Sequence, residues 1–186
     1  MTNVISTSTL PLVAGTWNAD PAHTTVGFVV RHLGLSKVRG RFDGVRAQLV
    51  VGDDLATSSV SAEVDMSTVK TGNADRDAHL TSSDFFNAET NPTMSFTSTS
   101  ITGAGEEFTL AGYITINGVT RPIELDVEFF GTSVFPMDQS TRAGFSATGS
   151  LSRKDFGLEF NVPLGGDKVM IADKVAIDLD VQLIAP

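Results

Sequence analysis

Residues 17–46 read WNADPAHTTVGFVVRHLGLSKVRGRFDGVR. Val26, Phe28 and Val30 stand at alternate positions, with Thr25, Gly27, Val29 and Arg31 between them. A period of two sends the two sets to opposite faces of a strand. The first set continues to His32, so one apolar face ends in a polar tip. Gly34 breaks the pattern, and residues 40–44, GRFDG, are expected to break it again before the next strand.

The same alternation recurs along the chain. Strands are expected at about 24–32, 46–51, 59–65, 93–102, 108–117, 121–131, 142–151 and 175–184, each bounded by Gly, Pro, Asn or Asp. Ile123, Leu125, Val127 and Phe129 alternate with Glu124, Asp126 and Glu128, and Val175, Ile177, Leu179, Val181 and Leu183 alternate with Asp178, Asp180 and Gln182. One face is therefore inside and one is wet, as in antiparallel sheets. Asn117-Gly118 between two such runs predicts a hairpin. Residues 73–86, NADRDAHLTSSDFF, lack alternation and predict a helix capped by Asn73, with Asp75 and Asp77 in its first turn. Asn91-Pro92 returns the chain to a strand, and a second helical turn is expected around Ser152–Phe156. Residues 1–15 read as a flexible N-terminal arm and 16–186 as one domain. Eight antiparallel strands can close into a barrel wide enough for one slender ligand. A sandwich satisfies the same pattern, and periodicity does not distinguish a filled interior from a hollow one.

Composition narrows the function. The chain has 186 residues, 41% of them hydrophobic, and a net charge of −9. That length is enough to bury roughly 70% of the unfolded surface. The acidic balance argues against nucleic acid or an anionic membrane as the main partner, since both need a basic patch, but it leaves room for a local one. There is no cysteine, hence no disulfide, thiolate metal site or cysteine nucleophile. No run approaches the ~18 apolar residues of a spanning helix, so no stable membrane insertion is expected. The N-terminal MTNVISTSTLPLVAG has neither a basic leader nor an adequate apolar run, so the cytoplasm is the simplest location.

No reactive constellation stands out. His23, His32 and His79 are the three histidines, and they form neither an HxH pair nor an HExxH motif. Each is expected to hydrogen-bond locally, His79 with Asp75 or Ser83, four residues away on either side. Asn73, Asp75, Asp77 and Asp84 fall at calcium-loop spacing, but Ala78 replaces the required glycine and the last acid is not Glu. Gly144-Phe145-Ser146-Ala147-Thr148 lacks the closing glycine of a nucleophile elbow and lies within an alternating strand. Gly165-Gly166-Asp167-Lys168 lacks phosphate-loop spacing and reads as a turn. Arg31, Arg39, Arg41 and Arg46 cluster near the first turn, as solvated charges or as an entrance for a ligand head group. No catalytic residue, metal or cofactor is expected.

Several short motifs carry a family resemblance. Asp20-Pro21-Ala22-His23-Thr24, Phe28-x-x-x-His32, Gly40-x-Phe42, Arg76-Asp77-x-His79-Leu80, Phe85-Phe86, Phe96-x-Ser98, Gly118-Val119-Thr120-Arg121-Pro122 and Arg153-x-Asp155-Phe156-Gly157 occur in this order. The chain thereby resembles the YceI-like family of lipocalin-like, polyisoprenoid-binding proteins over roughly residues 16–185. The resemblance implies an all-β, eight-stranded antiparallel barrel with one or two short helices. It also implies a hollow interior that sequesters or transports an elongated apolar ligand: a polyisoprenoid, an isoprenoid quinone or a fatty amide. Together with alternation it nominates Phe28, Val30, His32, Phe42, His79, Phe85, Phe86, Phe96, Leu110, Ile114 and Phe156 as ligand-contacting residues. The histidines are carried over as pocket residues, not as catalysts. An enzyme acting on a hydrophobic substrate and a filled-barrel interaction module are the alternatives, and a homodimer stays open. Many members of the family carry a leader and act in the periplasm; this N-terminus departs from them.

The missing ligand spacing makes one prediction. A chelator should leave the melting temperature unchanged, and a drop restored by zinc or calcium would show that the histidines or the Asn73–Asp84 stretch hold a metal.

Overall fold

The computed structural model describes residues 9–186. Wherever apolar and polar residues alternate, the chain forms strands. They are β1 (Gly15–Ala19), β2 (Thr25–His32), β3 (Ser36–Phe42), β4 (Val45–Val51), β5 (Ser59–Asp65), β6 (Val69–Lys70), β7 (Thr93–Ala104), β8 (Glu107–Ile116), β9 (Val119–Val134), β10 (Thr141–Ser152), β11 (Pro163–Gly165), β12 (Lys168–Val169) and β13 (Ile171–Ile184). The helix α1 spans Ala74–Thr81, and a 3-10 turn spans Arg153–Phe156.

The long strands pair in the order β1-β4-β5-β7-β8-β9-β10-β13, and β13 returns to β1, so the antiparallel ring is closed with eight strands. β13 pairs with β10 along one edge and with β2 and β1 in succession along the other. β1 and β2 are thus two halves of one bent barrel strand, broken at Asp20–Thr24. β3 and β4 are likewise one strand bent at Asp43-Gly44. Here the expectation needs correction: Gly40, Arg41 and Phe42 are not a break. They finish β3, pairing Phe28↔Gly40, Gly27↔Arg41 and Val26↔Phe42. The break is limited to Asp43 and Gly44.

Asn117 and Gly118 form the expected hairpin, with φ of 52° and 74°, the two left-handed residues that a tight twisted turn requires. α1 begins where expected, the Asn73 side chain accepting a 2.9 Å hydrogen bond from the Arg76 amide. It ends sooner, at Thr81, where the Ser82 hydroxyl bonds back to the His79 carbonyl at 2.6 Å. Residues 82–86 continue as turns.

One end of the barrel is sealed. Trp17, 1% exposed, packs there with Leu49, Val51, Leu55, Ile101, Phe108, Phe129, Ala143 and Leu183. Leu10 joins this cluster and lies 8% exposed, so part of the stretch expected as an arm packs against the barrel. Residues 1–8 of that stretch lie outside the described residues. The indole nitrogen of Trp17 donates to the Val13 carbonyl at 3.0 Å, which satisfies its polar atom inside the plug.

A charged network pins the β1–β2 bend to the β9–β10 loop beside this plug. Arg142, 8% exposed, donates to Asp20 and, at 2.9 Å, to Asp138. Its guanidinium lies 4.7 Å from the centre of the Phe135 ring. Asp20 also stands 2.8 Å from His23 Nδ1 and accepts the Ala22 amide at 2.9 Å. The His23 contact, then the Ala22 amide and Arg142, hold the Asp20 carboxyl below the usual carboxylate range against the opposing effect of burial.

Replacing Arg142 by Met should cost about 3 kcal/mol, the lower end for breaking a buried pair, because His23 and the Ala22 amide remain on Asp20. The lowered carboxyl stabilises the fold at any pH above the ordinary value of 3.8 and ceases to do so as pH falls through its folded value. The stability gap between wild type and Asp20→Asn, read from chemical denaturation, should be full at neutral pH and close below pH 3.8.

Candidate functional site

The inward faces of the strands enclose a cavity of about 610 Å³. A volume of this order is ordinary for a small-molecule site. Val26, Phe28 and Val30 of β2 line it, with Met94 and Phe96 of β7, Leu110, Ile114 and Ile116 of β8, Ile123, Leu125 and Val127 of β9, and Ile177, Leu179 and Val181 of β13. Many of these inward side chains, among them Phe28, Val30, Phe96, Leu110 and Ile177, are only half-buried although they face the barrel axis. In a filled core they would touch neighbours on every side. The interior is therefore hollow, which alternation alone could not establish.

Two glycines keep it so. Gly40 lies opposite Phe28, and a Cβ at Gly40 would stand 2.2 Å from the Phe28 ring. A Cβ at Gly112 would meet the Phe96 ring at 2.6 Å. Each ring lies on the wall over a missing side chain instead of projecting across the lumen. Phe28 then contacts Phe42, with centroids 5.7 Å apart, and Phe42 contacts Phe86 at 5.8 Å, so an aromatic ridge runs towards one end.

That end is the opening, where exposed residues Arg31, Ser36 and Arg76 border the cavity. α1 and the turn after it form one side. The β2–β3 hairpin and the loop from Leu158 to Met170 form the other. The rings of His79, Phe85 and Phe160 meet edge to face between the two sides, His79 at 5.0 Å from Phe85 and 4.8 Å from Phe160. The His79 Nε2 lies 2.8 Å from Asp84 Oδ2, five residues on, instead of from Asp75 or Ser83 as expected, because α1 ends before Ser83.

Arg153 holds the 158–172 segment in place from beneath. It is 4% exposed and donates to the carbonyls of Leu158, Phe160, Ala172 and Ile171. Burial lowers its pKa from the ordinary arginine value, opposed by the charge of Asp173. The side chain is satisfied entirely by backbone oxygens, so it braces the mouth.

Of the nominated residues, Phe28, Val30, His32, Phe42, His79, Phe85, Phe86, Phe96, Leu110 and Ile114 line the cavity. Phe156 does not. It is 2% exposed and packed in the core beyond the wall, beside the β8–β9 turn, where its carbonyl accepts the Asn117 side-chain amide at 3.2 Å. Position in a short motif shows only nearness to the barrel end. Phe160, Met170, Ile171 and Val38 line the opening and were not anticipated. The first three follow the 3-10 turn, outside or at the edge of any alternating run. Val38 did carry a signal: Val38, Gly40 and Phe42 alternate with Lys37, Arg39 and Arg41, and the glycine masked it.

Polar chemistry is confined to the ends. His32 and His79 stand at the opening while His23 lies near the sealed end. Among the described residues no three His, Asp or Glu side chains converge to hold a metal. Ser146 lies within β10, and Gly166-Asp167 is the turn between β11 and β12, with Gly165 ending β11. Of the arginine cluster, Arg41 pairs with Asp43 at 2.9 Å and Arg46 with Glu63 at 3.0 Å, while Arg31 and Arg39 form no ion pair among the described residues.

Comparison with known proteins agrees with this architecture. A UPF0312 protein of Staphylococcus epidermidis is 35% identical over 168 residues, which is 89% of this chain and 95% of that protein. The crystal structure of Burkholderia cenocepacia BcnA superposes with a TM-score of 0.75 at 21% identity, covering 88% of this chain and 98% of that one. A polyisoprenoid binding domain from Saccharophagus degradans, implicated in plant cell wall breakdown, superposes with a TM-score of 0.63 at 16% identity, covering 94% and 100%. Residues 17–183 match the YceI-like domain, and with it the closed barrel and the hollow apolar interior find their place: the chain belongs to the YceI-like family.

Proposed function

We propose that this protein binds an elongated apolar molecule of the polyisoprenoid class in its barrel and holds it away from water. The observation that carries this reading is the hollow lumen, walled by buried and half-buried apolar side chains with, among the described residues, no ion pair or hydrogen-bonding cluster along its middle. Removing apolar ligand surface from water is worth roughly 25 cal/mol per Å², so a long chain gains affinity in proportion to the length inserted. The shape is selective as well. A lumen between opposite strands admits a slender chain, and the aromatic ridge of Phe28, Phe42 and Phe86 suits its planar double bonds. The ligand's polar head belongs at the opening. There, among the described residues, the His32 ring makes no hydrogen bond and the Arg31 guanidinium forms no ion pair. The polyisoprenoid binding domain of Saccharophagus degradans supports the ligand class. The function is sequestration, with no chemical step performed on the ligand.

Organic extraction of the purified protein followed by mass spectrometry should release an intact apolar chain. Ile177→Trp fills the lumen from β13. Binding of a fluorescent polyene should fall at least tenfold while the melting temperature holds, since the indole enters empty volume; in a filled core it would cost roughly 1–3 kcal/mol. No polyene binding by wild type, with a destabilised mutant, would refute the carrier.

Gly40→Ala tests the wall itself. The new methyl should drive the Phe28 ring into the lumen, weakening polyene binding several-fold and costing about 1–3 kcal/mol of stability. Undiminished affinity would show that the ring does not border the bound chain.

A further inference from the structure

The β2–β3 hairpin beside the opening ends in apolar side chains that the fold gives no reason to expose, and the β11–β12 hairpin, whose tip is Gly166-Asp167, carries others on its arms. Leu35, at the tip between β2 and β3, is 82% exposed, and Leu33 beside it is exposed too. Leu33 holds a φ of 55°, in the left-handed region where glycine or asparagine would sit with less strain. On the neighbouring flap, Val162, Leu164 and Val169 are exposed. The hairpins are joined, the Leu33 amide donating to the Met170 carbonyl at 2.7 Å and the Met170 amide to the Val162 carbonyl at 3.0 Å. They therefore present one apolar rim on the same side of the mouth.

Charge stands directly behind the rim. Residues 31 to 41 contain no aspartate or glutamate, and their charged side chains are Arg31, Lys37, Arg39 and Arg41. The register places Arg31 opposite Lys37 on the outer face of the hairpin, with Arg39 next along that face. Arg31, Lys37 and Arg39 form no ion pair among the described residues. This concentration occurs in a chain of net charge −9. The opposite end offers a contrast. Met137 is 82% exposed there, near Val134, but Asp138 is the next residue and Glu128 lies on the same strand as Val134. The barrel's outer wall carries exposed Asp126, Asp178 and Asp180.

We propose that the rim formed by the β2–β3 and β11–β12 hairpins docks the mouth onto the surface of a bilayer containing anionic phospholipid. Apolar tips enter the headgroup boundary while the basic row behind them meets the lipid phosphates. Penetration is limited to the rim, because the charged outer wall cannot enter hydrocarbon. The docked geometry puts the opening against the membrane, so a lipid chain can pass between bilayer and lumen without crossing water. This proposal rests on the carrier reading for its purpose, not for its measurement.

The test is flotation with vesicles of equal parts phosphatidylglycerol and phosphatidylcholine, compared with phosphatidylcholine alone. Wild type should float with the anionic vesicles and lose binding as salt rises. The Leu33→Ser, Leu35→Ser double variant should lose roughly tenfold in vesicle affinity. Lys37→Gln with Arg39→Gln should lose roughly fivefold for each charge removed. Val134→Ser with Met137→Ser should behave as wild type. All are surface changes, and unchanged melting temperatures confirm that each variant is folded. Ile177→Trp, with its lumen blocked, should still dock, which separates failure of the carrier from failure of docking. Absence of wild-type flotation, or equal flotation by the hairpin variants, would overturn the proposal.

Discussion

Ring closure through β13 is the constraint on which the structure depends. That strand gives one edge to β10 and divides the other between β2 and β1. With no free edge left in the ring, every strand is held in register by two neighbours, and a slip of one residue would turn its apolar set outward. The bends at Asp20–Thr24 and Asp43-Gly44 let two long strands follow the curve of the barrel without leaving the ring. The buried Arg142–Asp20 pair stands at one of these bends, so its energetic role is to fix the geometry of closure.

The two ends are built from different materials. Trp17, Leu10 and their neighbours fill the sealed end with large apolar side chains, and charge there is neutralised in a local network. The other end is assembled from pieces that the ring does not contain: α1, the turns after it and the segment braced by Arg153. Loops and short helices of this kind carry function on a rigid scaffold. Here they set the size of the opening and bring Phe160 against His79 and Phe85, which lie far from it in sequence.

Between the ends the wall does one thing. Small residues opposite large rings, Gly40 with Phe28 and Gly112 near Phe96, leave volume along the axis. An apolar lumen favours an apolar occupant without directional bonds, so it discriminates by length and width more than by functional group. Polar groups at the rim add orientation. Such a division suits reversible binding, since a ligand held without covalent or strongly polar bonds can also leave.

Much of this was legible in the residues alone. Strict alternation over residues 121–129 and 175–183 determined antiparallel strands with one wet face, and Asn117-Gly118 determined a tight hairpin, because both are local consequences of backbone geometry. Asn73 marked the start of α1 for the same reason. The β3 strand was hidden because Gly40 removed the side chain that would have completed its inner face. The end of α1, the His79 partner and the place of Phe156 were also out of reach, since each depends on which distant segments pack together. Above all, alternation determined which side chains point inward, whereas only the tertiary structure decided that the inside is empty. A side chain's direction is set by its own strand, but the volume left over is a property of all eight strands at once.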